Sequence, residues 1–491
     1  MNYIWFYSRI INKNNKNRCI GMKERRKFLF KNMGILTISN FSSKILVFLL
    51  VPLYTSVLST TEYGTYDFII STVGLLYPIL TLNIADAVMR FTMDETYSSK
   101  KVISVGIKYV SISFIIMTMF ILCGLHVMKI RNRLLIFFLL YYISYVLNQF
   151  LIQLAKGLER VQDMAIAGVI STLTTLTFNI LFLLVFKWGL NGFFIANILS
   201  QAMSVLYFLI RMRVWQYIDF KRQDNVLIKE MLLYCTPLIA TTLGWWINNT
   251  LDKYAVTFIC GMAANGLLSV SYKIPSILNT VQGIFIQAWQ ISAIKEYGEK
   301  DTARFYGNTF SFVNLMMCAV CAGLILLTRP LATILYAKGF YSAWQYVPFL
   351  LISSVFNCAS GLLGPVLSAK KDTKIMMWSA IIGGGVNAVF NIGLTYLIGI
   401  QGATIATIIS SLVIYAVRRY GVGTDIVIED RYYLTWILLV IQAGVEVMIE
   451  SWIIELILCM VMVGFNFKNI ATATKSVKNV MKRKLLMMKE Q

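Results

Sequence analysis

The sequence predicts an all-α, polytopic membrane protein of about 14 transmembrane helices, arranged as two six-helix lobes in parallel repeat plus two C-terminal helices. Three observations carry this. Of 491 residues, 58% are apolar and only 14% charged, more apolar content than a soluble domain needs. Apolar stretches of ~20 residues, the length of one crossing, recur along the chain with short loops between them. The basic residues, finally, concentrate in alternate loops, as topology signals do.

Spans are read near 33–58, 65–89, 104–128, 134–155, 164–186, 190–210, 232–258, 266–294, 306–328, 346–368, 375–398, 402–420, 432–448 and 452–467. The organisation expected is a basic cytoplasmic N-terminus (1–32), an N-lobe (33–213, spans 1–6), a cytoplasmic linker (214–231), a C-lobe (232–424, spans 7–12), spans 13–14 (425–467) and a basic cytoplasmic tail (468–491). The N-terminus does not read as a cleavable signal, because the apolar run Tyr3 to Tyr7 is too short and Asn12 to Arg18 is polar and basic. Met22 opens Met-Lys-Glu-Arg-Arg-Lys, so either Met1 or Met22 serves as the start.

With the N-terminus inside, cytoplasmic segments carry 36 of the 45 Lys and Arg, and outer loops carry 6: Lys129, Arg131, Arg133, Lys187, Arg329 and Lys338. The remaining three, Lys44, Lys253 and Lys273, fall inside spans. Both termini are therefore expected in the cytoplasm. The net charge of +22 orients the chain and meets anionic lipid heads; no nucleic-acid partner is expected. One histidine and eight cysteines without CxxC spacing give neither a zinc site nor a disulfide framework, so no metal and no cofactor is expected.

The chain repeats weakly at an offset of roughly 200–210 residues. Ile143-Ser-Tyr-Val-Leu-Asn148 matches Ile352-Ser-Ser-Val-Phe-Asn357. Gly189-Leu-Asn-Gly192 before Ile195-Ala-Asn-Ile-Leu-Ser200 matches Gly399-Ile-Gln-Gly402 before Ile405-Ala-Thr-Ile-Ile-Ser410. Each pair holds the same place in a six-span block, which makes spans 1–6 and 7–12 two copies in one orientation. Parallel repeats are used by transporters that rock two bundles about a central cavity.

Intramembrane charges within spans 1–12 gather in four helices: Lys44 in span 1, Asp67 and Asp86 in span 2, Asp252 and Lys253 in span 7, Lys273 in span 8. The same helices carry Pro52, Pro78, Pro237 and Pro275, and proline-interrupted helices at matching places in two halves point to a substrate site and to hinges. In span 8, Lys273, Ser276, Thr280, Gly283, Gln287 and Gln290 share one helical face. Thr37, Asn40 and Lys44 do so in span 1; Asp67, Ser71, Gly74 and Thr81 in span 2; Trp245, Asn249 and Asp252 in span 7, with Trp246 and Lys253 beside them. A bare Lys at mid-bilayer costs roughly 2.5–3.5 kcal/mol even on lenient scales, so such stripes must face protein or water.

Each residue has a plainer reading beside the functional one. Lys44 is open between cargo contact and snorkelling or neutralising a nearby Asp. Asp252 and Lys253 point about 100° apart on a helix, so each needs a partner other than its neighbour. Asp86, toward one end of its span, is the weaker candidate of the two span 2 acids, and His126 near the outer end of span 3 reads as a packing or wetted residue. The stripe Ser353, Asn357, Ser360, Gly364 and Ser368 reads as close helix packing. Gly383-Gly-Gly385 lacks the Lys-Ser and the preceding strand of a phosphate loop.

Tyr234-Cys-Thr-Pro237-Leu, Gly244-Trp-Trp-Ile-Asn-Asn-Thr-Leu-Asp252-Lys253-Tyr254, Gly261-Met-Ala-Ala-Asn-Gly266-Leu, Tyr272-Lys-Ile-Pro275 and Gln287-Ala-Trp289-Gln290 resemble the oligosaccharide flippases of capsule and O-antigen pathways. These belong to the multidrug/oligosaccharidyl-lipid/polysaccharide exporter superfamily. Val51-Pro-Leu-Tyr54 and Glu62-Tyr-Gly-Thr-Tyr66 fit as well, and the likeness covers roughly residues 25–465. The resemblance implies flipping of undecaprenyl-pyrophosphate-linked oligosaccharide units across the bacterial cytoplasmic membrane, two lobes around a V-shaped lumen, and alternating access. It also implies partners in a polysaccharide polymerase and chain-length machinery. The family's lumen is typically cationic, and Lys44, Lys253 and Lys273 stand at the matching positions, where ammonium groups in a low-dielectric cavity would hold a pyrophosphate. Family members often carry Arg where Lys253 stands, and Lys lacks Arg's fork. Trp245, Trp246 and Trp289 are candidates for stacking on sugar rings.

The chain has no nucleotide-binding loop, so coupling is expected from an ion gradient, membrane potential or product removal, with Asp67 and Asp252 as candidate titrating or sodium-linked groups or as charge neutralisers. Two alternatives stay open: a multidrug or metabolite cation antiporter of the same fold, which should show a mainly acidic cavity, and a membrane enzyme of polysaccharide assembly. The second would need a large outer loop or an acidic metal motif, and the longest outer loop, near Arg329 to Tyr346, supplies neither. A non-enzymatic transporter is expected.

Overall fold

In the computed structural model, residues 48–94, 96–127, 133–218, 225–299, 301–370, 372–428, 432–449, 451–462 and 464 are described, and among them every regular element is helical. Lys44 and Asn40 lie outside the described residues, as do the side chains of His126 and Trp245. The helices are α1 Val51–Val57, α2 Thr60–Leu80, α3 Ile84–Thr92, α4 Ser99–Val127, α5 Arg133–Gly157, α6 Val161–Asn179, α7 Gly189–Met212, α8 Asn225–Cys260, α9 Met262–Ser271, α10 Lys273–Glu296, α11 Thr302–Leu326, α12 Thr328–Leu335, α13 Val347–Ala369, α14 Thr373–Ile398, α15 Ile400–Val422, α16 Tyr432–Met448 and α17 Trp452–Met462.

Among the described residues nine helices are long and apolar enough to cross a membrane, and a tenth crossing results if α2 and α3, bent by 59°, form one span. The four other expected spans differ for particular reasons. Span 1 lies largely outside the described residues; span 8 is divided between α9 and α10, whose polar stripe lowers its hydropathy; spans 13 and 14 correspond to the shorter helices α16 and α17.

Local chemistry sets the helix ends. Before α2, Ser59 and Glu62 form a reciprocal capping box: the Ser59 N–H and Oγ–H donate to Glu62 Oε2 at 2.8 and 2.9 Å, and Glu62 N–H donates to Ser59 Oγ at 3.2 Å. The paired glycines of the sequence repeat do the same job in both copies. Gly189 opens α7 at φ +54° and Gly399 precedes α15 at φ +63°, a backbone region that side-chain-bearing residues rarely adopt. After the second turn, Gly402 lies directly on the Leu394 carbonyl, where a Cβ has no room.

The prolines mark interruptions. Pro52 is in the first turn of α1 and Pro78 near the end of α2. Leu82 and Asn83, both at positive φ, then turn the chain into α3. Pro275 is in the first turn of α10, just after the break at Tyr272, and Pro237 is inside the 36-residue α8.

The chain forms two compact units, and two of their boundaries fall directly after Pro78 and Pro237. Among the described residues, one contains 48–49, Ile79–Phe186 and Gly192–Pro237; the other contains Leu50–Pro78, Lys187–Asn191 and the residues from 238 onward. In the first, α3 packs against α4 and α5 through Val88, Val102, Ile103 and Leu154, all fully buried, and Gly106 lets Val88 and Phe150 approach. Asp86 is held there by Asn83 Nδ2 at 2.7 Å and by Gln153 Nε2. In the second unit, α10, α11, α15 and α16 surround α13, which is buried along most of its length; Gly361 of α13 admits Ile286 of α10.

Candidate functional site

Of the charged residues singled out in spans 2, 7 and 8, Asp67, Asp252, Lys253 and Lys273 lie in the second unit, while Asp86 lies in the first. Lys253 of α8 reaches Asp67 of α2, Nζ to Oδ1 at 2.9 Å, with side chains 20% and 18% exposed. The other Asp67 oxygen, Oδ2, is buried without a hydrogen-bond partner. Asp252, itself buried, does not pair with the Lys253 ammonium. Its Oδ1 accepts the Lys253 backbone N–H at 2.9 Å and its Oδ2 accepts the hydroxyl of Tyr272, at the α9–α10 break. The angular divergence of neighbouring helix residues is met here by giving each a separate partner.

Lys273 is different. Its Nζ lies 6.0 Å from the ring centre of Tyr63 on α2, and among the described residues no carboxylate stands within ion-pair distance of it. Tyr63 and Asp67 are one turn apart, so both lysines address one face of α2. From Lys273 the polar stripe of α10 continues through Ser276, Thr280 and Gln287, half-exposed or exposed in this chain, past Gly283, beside which a Cβ would find open space. The hydroxyls of Ser276 and Thr280 turn back to the carbonyls of Lys273 and Ser276 at 2.6 and 2.7 Å. A side-chain stripe of this polarity within a span belongs against water or a polar cargo.

Around the ion pair α2 and α8 are joined by neutral bonds. Tyr254 Oη and Thr72 Oγ1 are 2.6 Å apart, and Trp246 Nε1 donates to the Ser71 carbonyl at 3.0 Å. Toward the start of α2, Asn265 Nδ2 donates to the Gly64 carbonyl at 3.0 Å. Gly64 and Gly266 bring α2 and α9 into backbone contact: a Cβ on either would meet the carbonyl of Met262 or Thr60. Tyr63, Tyr272, Asn265 and the Gly64–Gly266 crossing join the site through contacts that no spacing along the chain announces, although all of them lie inside the motif stretches.

The tryptophans divide. Trp289 is buried, donates Nε1 to the Leu362 carbonyl at 2.9 Å and packs on Phe305 and Tyr306, so its indole fastens α10 to α13 rather than presenting a stacking face. Trp246 is engaged with Ser71 and Tyr254. Asn249 is exposed. Among the described residues no three His, Cys, Asp or Glu side chains are grouped to hold a metal.

No curated protein matches the chain. Among solved structures, a lipid II flippase MurJ in an inward closed conformation aligns at TM-score 0.65 and 14% identity, over 89% of this chain and 100% of that one. A multidrug resistance MATE family transporter of the MOP superfamily, in an inward-facing conformation, aligns at TM-score 0.63 and 14% identity, over 79% of this chain and 98% of that one. At such identity the likeness establishes the fold. Residues 29–290 match the model of the family described as polysaccharide biosynthesis protein, more than half of the chain, and the protein belongs to that family.

Proposed function

We propose that the protein flips undecaprenyl-pyrophosphate-linked oligosaccharide units across the bacterial cytoplasmic membrane by alternating access, serving surface polysaccharide synthesis, with both termini in the cytoplasm. The observation that carries this reading is Lys273, a half-buried ammonium with no carboxylate partner among the described residues, opening the polar stripe of α10. A half-buried cation kept without a countercharge is a ready seat for an anion, and a pyrophosphate is the anionic part of a lipid-linked sugar. Lys253 is the second contact, shared with Asp67, and Lys44 the third. Ser276, Thr280 and Gln287 supply hydrogen-bonding groups along the same path. Coupling to a cation would use Asp67, whose Oδ2 is unpartnered, or Asp252.

The test is depletion of the protein in its native cell followed by identification of the lipid-linked saccharides inside. Accumulation of one lipid-pyrophosphate oligosaccharide, relieved by the parent chain and not by Lys273→Gln at equal expression, is expected. Normal surface polysaccharide with Lys44→Ala, Lys253→Ala and Lys273→Ala would overturn the cationic site.

A further inference from the structure

We infer that the Asp67–Lys253 pair is a latch opened by the cargo itself: the pyrophosphate takes Lys253 from Asp67 and so releases α2 from α8 and α9. The inference rests on the cargo reading above. The seam that the pair closes is built from weak neutral contacts, namely Thr72 with Tyr254, Trp246 with the Ser71 carbonyl, and Asn265 with the Gly64 carbonyl. The ion pair is the one charge–charge contact described between α2 and α8. It is also the contact a second anion can compete for.

Three features make the competition one-sided. Asp67 offers Lys253 a single negative charge through one oxygen at 2.9 Å, whereas a pyrophosphate brings at least two charges and several acceptor oxygens. Lys273, addressing the same face of α2 from α10, has no carboxylate of its own among the described residues, so the incoming anion gains a second ammonium that Asp67 leaves unused. Once Lys253 turns to phosphate, Asp67 keeps no countercharge from α8 while its Oδ2 already has no hydrogen-bond donor. A carboxylate in that state drives its surroundings toward water, and the phosphate repels it. The pair thus changes from a bond holding the seam to a charge pressing it open. Asp252 stays out of the exchange, because the Lys253 backbone N–H and Tyr272 hold it.

Ser269, on α9 beside Asn265 and 3% exposed, reports the seam. In the full-length chain with its native cysteines replaced, purified in detergent so that reagent reaches both ends, Ser269→Cys is labelled by a charged maleimide. Farnesyl pyrophosphate is expected to accelerate labelling roughly tenfold or more, since the rate follows the fraction of time the seam is open; farnesol is expected to have no effect. Asp67→Asn should label fast without ligand. The double variant Asp67→Leu with Lys253→Met, which replaces the pair by apolar side chains, should label slowly and ignore farnesyl pyrophosphate, showing that the seam still forms. Binding of radiolabelled farnesyl pyrophosphate is measured on the same samples. Binding with unchanged labelling, slow labelling of Asp67→Asn, or equal acceleration by farnesol would overturn the latch and leave the cargo reading standing. Absence of binding would overturn the cargo reading and the latch with it.

Discussion

Arg329, one of the six basic residues expected in outer loops, sits in the first turn of α12 and makes a compound contact to α16. Its Nε is 3.0 Å from Glu446 Oε1, Nη2 donates to the Glu446 carbonyl at 2.8 Å, and the guanidinium lies 4.3 Å over the Trp344 ring. The side chains of Arg329 and Glu446 are 26% and 5% exposed. Arg329→Met removes the cation facing a buried carboxylate, a loss of about 3–5 kcal/mol for a buried pair; the partial exposure of the arginine places the expectation near the lower bound. Arg329→Lys keeps the charge but not the planar fork or the stacking, and should cost about 1–2 kcal/mol. The double variant Arg329→Met with Glu446→Leu removes both partners of the pair and should recover part of that loss; the remainder falls on Glu455, fully buried with neither carboxylate oxygen hydrogen-bonded and within reach of the Arg329 charge. The assay is unfolding of the purified full-length protein in detergent, read as a double-mutant cycle. Additive losses, with a coupling inside about 0.5 kcal/mol, would refute the view that this pair docks α16.

Trp289→Phe should cost about 1–3 kcal/mol of stability by leaving the Leu362 carbonyl without its donor, while farnesyl pyrophosphate affinity stays at the parent value; a tenfold affinity loss at unchanged stability would return Trp289 to the cargo path. Gly402→Ala drives a Cβ into the Leu394 carbonyl and should destabilise by about 1–3 kcal/mol, whereas Gly385→Ala, with nothing within 4 Å, should be neutral or gain up to about 1 kcal/mol of helix propensity; equal thermal midpoints would disprove the distinction. Pro78→Ala restores an amide donor to α2 and should stabilise the resting protein while slowing transport in proteoliposomes, and an unchanged rate would remove Pro78 as a hinge.

The fold was legible because its determinants are local. Twenty-residue apolar runs, a Ser-x-x-Glu box at Ser59 and glycines at matched turns act within a few residues of themselves, and the helices at α2, α7 and α15 begin where these signals stand. The stripe on α10 was legible for the same reason, since a 3.6-residue period is written along the chain. Partnerships were less so. That Lys253 meets Asp67, 186 positions away, follows from the packing of α2 on α8, which no spacing reveals, although a lone charge in an apolar run announces that some partner or ligand exists. Glu446 makes that announcement from within span 13, outside the four helices in which the charges of spans 1–12 gather. Trp289 shows the converse: an aromatic beside two glutamines resembles a sugar platform in sequence, and only burial against α13 reveals that its N–H is already spent.

The prolines join these two kinds of information. Proline removes the hydrogen bond to the carbonyl four residues back and admits a bend at that point alone, so its position is a local signal with a distant consequence. Pro78 closes one segment of the second compact unit and Pro237 closes one segment of the first. Each helix therefore passes from one unit to the other where its ladder of hydrogen bonds is weakest. Leu50, where the second unit begins, precedes Pro52 by two residues. In consequence the stretch of α2 up to Pro78 and the stretch of α8 after Pro237, which carry Asp67 and Lys253, lie in one unit, while the last two residues of α2 and the start of α8 through Pro237 lie in the other. The Asp67–Lys253 contact is confined to one unit, so it can be made or broken by side-chain exchange with both helices left intact. That is the condition under which a single ion pair, of modest strength by itself, can bias a two-state change in a protein of this size.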